Sequence, residues 1–123
     1  MDLFDSSIVG VEKAMQGSLL RQQVLANNIA NANTPGFQRS DVNFQAALQQ
    51  AFSTGAAATP GQIQQVSFQP QTDSSGAMRV DGNSVDINTE MADLSENTLD
   101  YQALESIMGT RMSILKTAIG STS

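Results

Sequence analysis

The chain of 123 residues contains no cysteine, no histidine and no tryptophan, and it has a single tyrosine. Without cysteine or histidine, the chain cannot form disulfides, the usual zinc sites, thiol nucleophiles or histidine acid–base pairs. A cysteine-free chain is also compatible with unfolded passage into an oxidising compartment, because no wrong disulfide can form. The absences point away from the commonest enzyme classes.

Other catalytic patterns are missing as well. The acidic residues follow the spacing of solvent-facing helix positions, so no carboxylate pair for glycoside hydrolysis stands out. No glycine-rich loop follows a strand, which removes the usual phosphate cradle. We therefore predict a protein that is not an enzyme, with no catalytic residue, no metal site and no cofactor.

Basic residues are scarce, with 6 Lys and Arg against 12 Asp and Glu and a net charge of −6. Nucleic acids and anionic membrane surfaces both require clusters of basic residues, so we expect neither as a partner. No apolar run approaches the ~18 residues of a transmembrane helix, which predicts no direct membrane insertion. Residues 1–5 lack the basic start of a signal peptide, so we expect any export to proceed without signal cleavage.

A long helix is predicted near the start of the chain, from about residue 5 to residue 32, with Asp2 or Asp5 as its cap. Its apolar residues recur on one face: Ile8, Val11, Met15, Leu19, Leu25 and Ile29. Gly10 and Gly17 lie within this helix. They are either tolerated at a cost of roughly 1 kcal/mol each, or they admit the close approach of a neighbouring backbone.

The first helix is followed by an asparagine-rich stretch and a turn. Residues 27–33 contain four asparagines, whose side chains compete for backbone hydrogen bonds and favour a helix end. Pro35 sets φ at one position and Gly36 tolerates positive φ at the next, so a turn is predicted there, with Phe37 docking after it.

The strongest helix signal runs from about residue 86 to residue 119, where heptad positions recur in steps of four and three. The predicted assembly seam consists of its apolar members: Ile87, Met91, Leu94, Tyr101, Met108, Met112, Leu115 and Ile119. Thr98 and Glu105 interrupt the seam; they either fix its register or, as we favour, face solvent or a neighbouring subunit. Leu104, Ile107, Ile114 and Ala118 widen the apolar stripe on one flank.

The charges suggest how the two long helices pair. Acidic residues come early and basic residues late in the second helix, which complements the helix dipole and also favours antiparallel packing. In an antiparallel pair, Glu12 would approach Arg111, and Arg21 would approach Asp100 or Glu105.

The middle of the chain is predicted to be small and mostly irregular. Residues 42–72 include no charged residue and eight glutamines. A short helix is predicted over 43–52, a flexible loop over 53–61, and a weak β-hairpin from strands 66–69 and 78–80. The fold class is therefore mainly α, an antiparallel coiled-coil-like helix pair. Segments 1–40 and 83–123 form its core, and 41–82 is the variable middle.

Both ends of the chain resemble the flagellar axial proteins of bacteria. Their N-terminal sequence motif is present here as Ala26, Asn27, Asn28, Ala30, Asn31, Thr34, Gly36 and Phe37. Segments 80–86, 90–92, 101–104 and 113–119 are similar to the proximal members of the basal-body rod protein family. The resemblance covers roughly residues 1–45 and 78–120.

This resemblance implies a structural subunit that polymerises into the periplasm-spanning rod of the flagellar basal body, transmits torque and lines the export channel. The implied partners are copies of itself, other rod proteins, and the basal-body adaptor and export-gate proteins. It also implies unfolded export through the flagellar type III apparatus. The alternative left open is an acidic, helical secreted regulator or export chaperone that binds a partner through its C-terminal helix.

Overall fold

The computed structural model describes residues 6–53 and 59–120. Its elements in chain order are α1 (Ser6–Ala30), β1 (Ser40–Asp41), α2 (Phe44–Phe52), α3 (Pro60–Gln64), β2 (Gln71–Thr72) and α4 (Ile87–Gly120). The two predicted long helices are confirmed to within about two residues of their predicted ends. The predicted caps, Asp2 and Asp5, lie outside the described residues.

The two long helices pack against each other in antiparallel directions, as predicted. Asn97 of α4 contacts Ser18 and Gln22 of α1, whereas the earlier Glu90 contacts the later Asn28. These contacts are polar and fully buried at Ser18, Asn28, Glu90 and Asn97. The helix pair is therefore held in register by hydrogen bonds as well as by apolar contact.

The predicted ion pairs between the long helices do not form. Arg21 binds Asp41 at 2.9 Å instead of Asp100 or Glu105, because β1 lies closer to it than those later turns of α4. Glu12 and Arg111 are both exposed, and no ion pair joins them among residues 6–53 and 59–120. The direction of packing was predicted correctly, but the charge partners were wrong.

The second half of α4 has little cover from the described residues. Since Asn97 lies opposite Ser18 and α1 begins at Ser6, the described part of α1 reaches only to about residue 110 of α4. Within 109–120, only Leu115 is partly buried. This end of the helix therefore projects with most of its circumference accessible.

The middle segment packs on another side of α1 and builds an apolar core. That core consists of Val9, Val42, Phe44, Leu48 and Ile63. The predicted helix over 43–52 is confirmed as α2, and the Asn43 side chain caps it by accepting from the Ala46 N–H. The flexible loop predicted over 53–61 is wrong at Pro60 and Gly61, which begin helix α3, and residues 54–58 of that loop lie outside the described residues.

Helix α3 begins with a capping motif that is recognisable in the sequence. The Thr59 hydroxyl accepts from the Gln62 N–H, and the Gln62 side chain accepts from the Thr59 N–H, with Pro60 at the first helical position. This reciprocal capping box stabilises a helix of only one turn. It explains why the short stretch is helical rather than irregular.

A small antiparallel sheet is present, but its strands are not the predicted ones. Ser40 pairs with Thr72, and Asp41 pairs with Gln71. The predicted strands 66–69 and 78–80 do not form, since Val66 and Phe68 instead pack against the apolar core. The apolar alternation that suggested a strand reflects packing onto α1 and α2.

Gly17 is required for close packing, which decides between the two interpretations for this glycine. A Cβ placed on Gly17 would lie 2.5 Å from the Cβ of Phe44, closer than real Cβ contacts allow. Gly109 in α4 has nothing within 4 Å of the same position. Gly17 is therefore constrained by a neighbouring side chain, whereas Gly109 is not.

We predict that Gly17→Ala lowers the free energy of unfolding by about 1–3 kcal/mol, because Phe44 must move away. Gly109→Ala is the control, and we expect it to raise that free energy by about 0.5–1 kcal/mol through helix propensity. Chemical denaturation followed by circular dichroism measures both. Equal effects of the two substitutions would contradict the close packing of α1 on α2.

Candidate functional site

The sequence motif shared with axial proteins forms a tight turn after α1. The Phe37 N–H donates to the Thr34 carbonyl at 3.2 Å, and Gly36 has φ of +76°. Pro35 precedes Gly36, which is the arrangement of a type II turn. The predicted turn is therefore present, with glycine at the position that needs positive φ.

A second loop, residues 79–85, is hydrogen-bonded to this turn. The Gly36 N–H donates to the Asp81 carbonyl at 2.9 Å, and the Ser84 N–H donates to the Phe37 carbonyl at 3.1 Å. Gly82 has φ of +83°, and a Cβ placed on it would lie 3.3 Å from the Gly36 Cα. The two loops approach backbone to backbone and close one end of the helix pair.

Asn83 locks the two loops together. It is fully buried, and its side-chain N–H₂ donates to the carbonyls of Asn31 at 2.9 Å and Thr34 at 2.8 Å. Its side-chain oxygen accepts from the Val85 N–H at 2.7 Å. Nothing in the local sequence reveals that the carbonyl partners of Asn83 lie about 50 residues away.

Asn28 has a larger role than the predicted helix stop. Its side chain donates to the Ser40 carbonyl at 2.7 Å and accepts from the Ser40 N–H at 3.1 Å, as a paired strand would. The same amide donates to Glu90 at 3.1 Å. This one side chain therefore joins α1, β1 and α4.

The remaining motif residues lie at the end of α1. The Asn31 side chain donates to the Asn27 carbonyl at 2.9 Å, and the Thr34 hydroxyl donates to the Asn31 side chain at 3.2 Å. Ala26 and Ala30 are exposed on α1, and Phe37 is half-buried. The structure thus gathers the polar motif residues around the helix end and leaves the two alanines on its outer surface.

Arg39 lies at the centre of a group of carboxylates, which we call the polar cluster: Arg39, Asp41, Asp73, Glu90 and Asp93. Arg39 is only 8% exposed and donates to Glu90 and to Asp73. Its other terminal nitrogen lies 3.6 Å from Asp41 and 3.7 Å from Asp93. The Arg39 guanidinium is a cation in contact with all four carboxylates, and the described residues include no group of side chains suited to a metal ion.

Three members of the polar cluster have shifted pKa values. Burial alone would lower the pKa of Arg39, but the hydrogen bond to Glu90 and the surrounding carboxylates outweigh it and raise that pKa. Burial would likewise raise the pKa of Asp41, yet hydrogen bonds from Arg21 and the Val42 N–H leave it lowered. The pKa of Asp73 is lowered by hydrogen bonds from Ser75 and by Arg39. Arg39, Asp41 and Asp73 are therefore charged throughout the neutral range.

The predicted assembly seam does not coincide with the buried face of α4. Its members Met91 and Met112 are 53% and 45% exposed, Ile87 and Ile119 are also exposed, and the other four members are half-buried. The buried face is instead centred on Glu90 and Asn97. A heptad seam drifts by about 20° per heptad on a straight helix, so it crosses this face obliquely. Thr98 and Glu105 are exposed, as favoured.

We predict that Arg39→Ala lowers the free energy of unfolding by about 3 kcal/mol or more, because it leaves the buried Glu90 without its cation. Arg21→Ala removes a partly exposed ion pair and serves as the control, with an expected loss of about 1 kcal/mol. Urea denaturation at neutral pH compares them. A loss at Arg39 no larger than the loss at Arg21 would show that the cluster does not hold the fold.

The lowered pKa of Asp41 predicts a dependence of stability on pH. A carboxyl group with a lower pKa in the folded state stabilises the fold above its unfolded value of 3.8, and this contribution is lost as the pH falls towards the folded value. We expect Asp41→Asn to be less stable at neutral pH but to lose less stability between about pH 5 and about pH 3. An unchanged pH slope would contradict this role of Asp41.

The described part of the chain contains no helix of the length and apolarity needed to cross a membrane. The family model described as "Flagella basal body rod protein" matches residues 12–38, which are most of α1, the motif turn and the entry to β1. This match covers the motif residues whose contacts are described above.

Curated relatives match far more of the chain. Flagellar basal body rod protein FlgB from Bacillus subtilis (strain 168) is 34% identical, over 97% of both chains. The FlgB proteins of Yersinia enterocolitica and Escherichia coli (strain K12) are 32% and 31% identical, over 89% and 83% of this chain and 90% and 84% of their own. Because similarity of this extent spans α1, the middle segment and α4 alike, the chain belongs to the flagellar basal body rod protein family, whose members are structural subunits.

Proposed function

We propose that this rod subunit polymerises through its two terminal helices, with copies of itself and with other rod proteins. The observation that carries the proposal is the exposure of large apolar residues along α4, including Met91, Met112 and Ile119. Apolar surface gains roughly 25 cal/mol for each Å² removed from water, less the entropy of ordering the chain. Association of subunits supplies the burial that one chain lacks.

The names of the relatives support a proposal for where this chain lies within the basal body. FlgB is the name of the matched relatives, and the sequence phrases quoted above resemble the proximal rod proteins. We place this chain at the proximal end of the rod, where its further neighbours would be the basal-body adaptor and export-gate proteins. Segments 1–40 and 83–123 form the polymerising core, and segment 41–82 forms the variable part.

The closed end of the helix pair suits the transmission of torque. Asn28, Asn83 and Arg39 connect α1, the motif turn, the second loop and α4 by buried hydrogen bonds. Bending the two helices apart would leave buried polar groups without partners, which costs about 1–3 kcal/mol for each group. Each subunit would therefore pass a load along as a stiff unit while α4 lines the export channel.

The proposal includes export as an unfolded chain through the flagellar type III apparatus, without signal cleavage. The absence of cysteine supports it, since unfolded passage into the periplasm carries no risk of wrong disulfides. The alternative function, a secreted regulator or export chaperone, receives no support from relatives that are named as rod proteins.

We predict that Met91→Asp and Met112→Asp each reduce incorporation into the rod about tenfold or more, because a carboxylate would be buried between subunits. Gln69→Asp is the control, since it adds the same charge at an exposed position outside the long helices. The measurement is the amount of the chain in basal bodies purified from a flagellated bacterium whose own copy has been replaced.

Export provides the second readout in the same cells. Each variant should still leave the cytoplasm in normal amount, because the changes act on packing after secretion. Normal incorporation of both Met variants would refute assembly through this side of α4. Loss of export together with incorporation would indicate a role other than packing for these positions.

A further inference from the structure

Helix α4 carries a second heptad stripe in addition to the predicted seam. From residue 101 to residue 112, the heptad positions of the predicted seam and its interruption are Tyr101, Glu105, Met108 and Met112, at steps of four, three and four; we call these residues the first stripe. The same steps recur six positions later at Ile107, Arg111, Ile114 and Ala118, which we call the second stripe. Six residues amount to one and two-thirds turns, so the stripes lie about 120° apart around the helix.

Each stripe includes apolar side chains that the described residues leave accessible. Met112 and Ile107 are each 45% exposed, and Ile114 is 61% exposed. Ile107, Arg111 and Ile114 also line a shallow depression on the helix surface together with Ser106 and Thr110. The first stripe borders the side of α4 that α1 covers, so its Tyr101 and Met108 are half-buried while Glu105 and Met112 are exposed. The second stripe faces outward on the other flank.

The stripes carry opposite charges at equivalent positions. Glu105 is the second residue of the first stripe, and Arg111 is the second residue of the second stripe. Both side chains are exposed, and neither forms an ion pair within the described ranges 6–53 and 59–120. Each stripe is thus an apolar row with one unpaired charge, negative on one flank and positive on the other.

We propose that the first stripe of one copy packs against the second stripe of a neighbouring copy, with the two α4 helices parallel. The inference rests on the proposed function, and it names both the partner and the surfaces that meet. In this arrangement Glu105 pairs with Arg111 of the neighbour, Tyr101 comes level with Ile107, and Met108 comes level with Ile114. Apolar contacts on both sides of the ion pair limit its exposure to water.

The occupant is a second copy because the second stripe has an apolar row and a charge that complement those of the first stripe. Two first stripes packed in parallel would bring Glu105 against Glu105 and leave both second stripes uncovered, which opposes association. Packing first against second leaves one free stripe at each end of the pair, so addition of copies continues. Such a heterologous contact produces a ring or a helix rather than a closed dimer.

The register sets the geometry of the assembly. Pairing residue 105 with residue 111 shifts neighbouring helices by six positions, or about 9 Å along the helix axis. A shift of this kind raises each copy relative to the last, so successive copies follow a helical path. The predicted seam therefore supplies one of the two surfaces, and the second stripe supplies its counterpart.

Cross-linking within assembled basal bodies tests the contact, and the cysteine-free chain gives it a clean background. The test variant combines Met108→Cys with Ile114→Cys, and a short bismaleimide linker joins thiols that lie close together. We expect a ladder of dimers and higher multimers, because every copy carries both halves of the contact. Each single variant should give monomer only, as should the control pair Met108→Cys with Ser113→Cys.

The other possible results of the cross-linking experiment distinguish failure of this contact from failure of the proposed function. Dimers from either single variant would show that like stripes meet, and they would overturn the proposal. Full incorporation of the double variant without any ladder would also overturn it, while the proposed rod function would stand. Absence of the unmodified chain from basal bodies would instead refute the proposed function itself.

A charge exchange provides an independent test. We expect Glu105→Arg and Arg111→Glu each to reduce incorporation about tenfold, because each places like charges opposite one another. The chain with both substitutions restores the pairing with inverted sign, and we expect incorporation within about twofold of the parent. A double variant as poor as the single variants would overturn the assignment of Glu105 to Arg111.

Discussion

The buried contact between Arg39, Glu90 and Asn28 is the interaction on which the rest of this structure depends. Glu90 has no exposure to water, so its carboxylate must be balanced within the protein. Arg39 supplies the charge and Asn28 supplies a further hydrogen bond. Because these three residues come from α4, from the segment after the motif turn and from α1, satisfying one carboxylate fixes three parts of the chain relative to one another.

A polar contact of this kind specifies register more sharply than apolar packing does. Moving α4 along α1 by one turn would separate Glu90 from Asn28 and Asn97 from Ser18 at the same time. Apolar side chains tolerate such a slip, whereas a buried amide or carboxylate loses its partner outright. The helix pair consequently has one stable register, and the apolar residues of α4 need not all face α1 to define it.

The sequence predicted correctly those elements whose structure depends on residues close together in the chain. Periodicity located α1, α2 and α4, and the Pro35-Gly36 pair located the turn, because these features arise from local backbone preferences. The predicted hairpin failed because Val66 and Phe68 use their apolar side chains to cover the core rather than to pair as a strand. The one-turn helix α3 was missed, although its capping box is visible in the sequence.

Other features of the candidate site depend on partners far away in the chain. Arg39, Asn28 and Asn83 each bind groups that lie between 12 and 62 residues away. From the sequence alone, an asparagine predicts a helix end or a turn, because its local preference is the same whether or not a distant partner exists. The charge pairing across the helices failed for the same reason: β1 brings Asp41 to Arg21, and no pattern within α1 or α4 reveals that.

The polar contacts between α1 and α4 also determine which surface of α4 is left exposed. Since Glu90 and Asn97 occupy the face of α4 that meets α1, much of the apolar surface of this helix is displaced to its flanks. Covering both apolar flanks would stabilise this helix further, and a single α1 packs on only one side of it. The hydrogen bonds that define the subunit thus leave apolar surface for its neighbours, so folding within the chain and assembly between chains draw on different faces of the same helix.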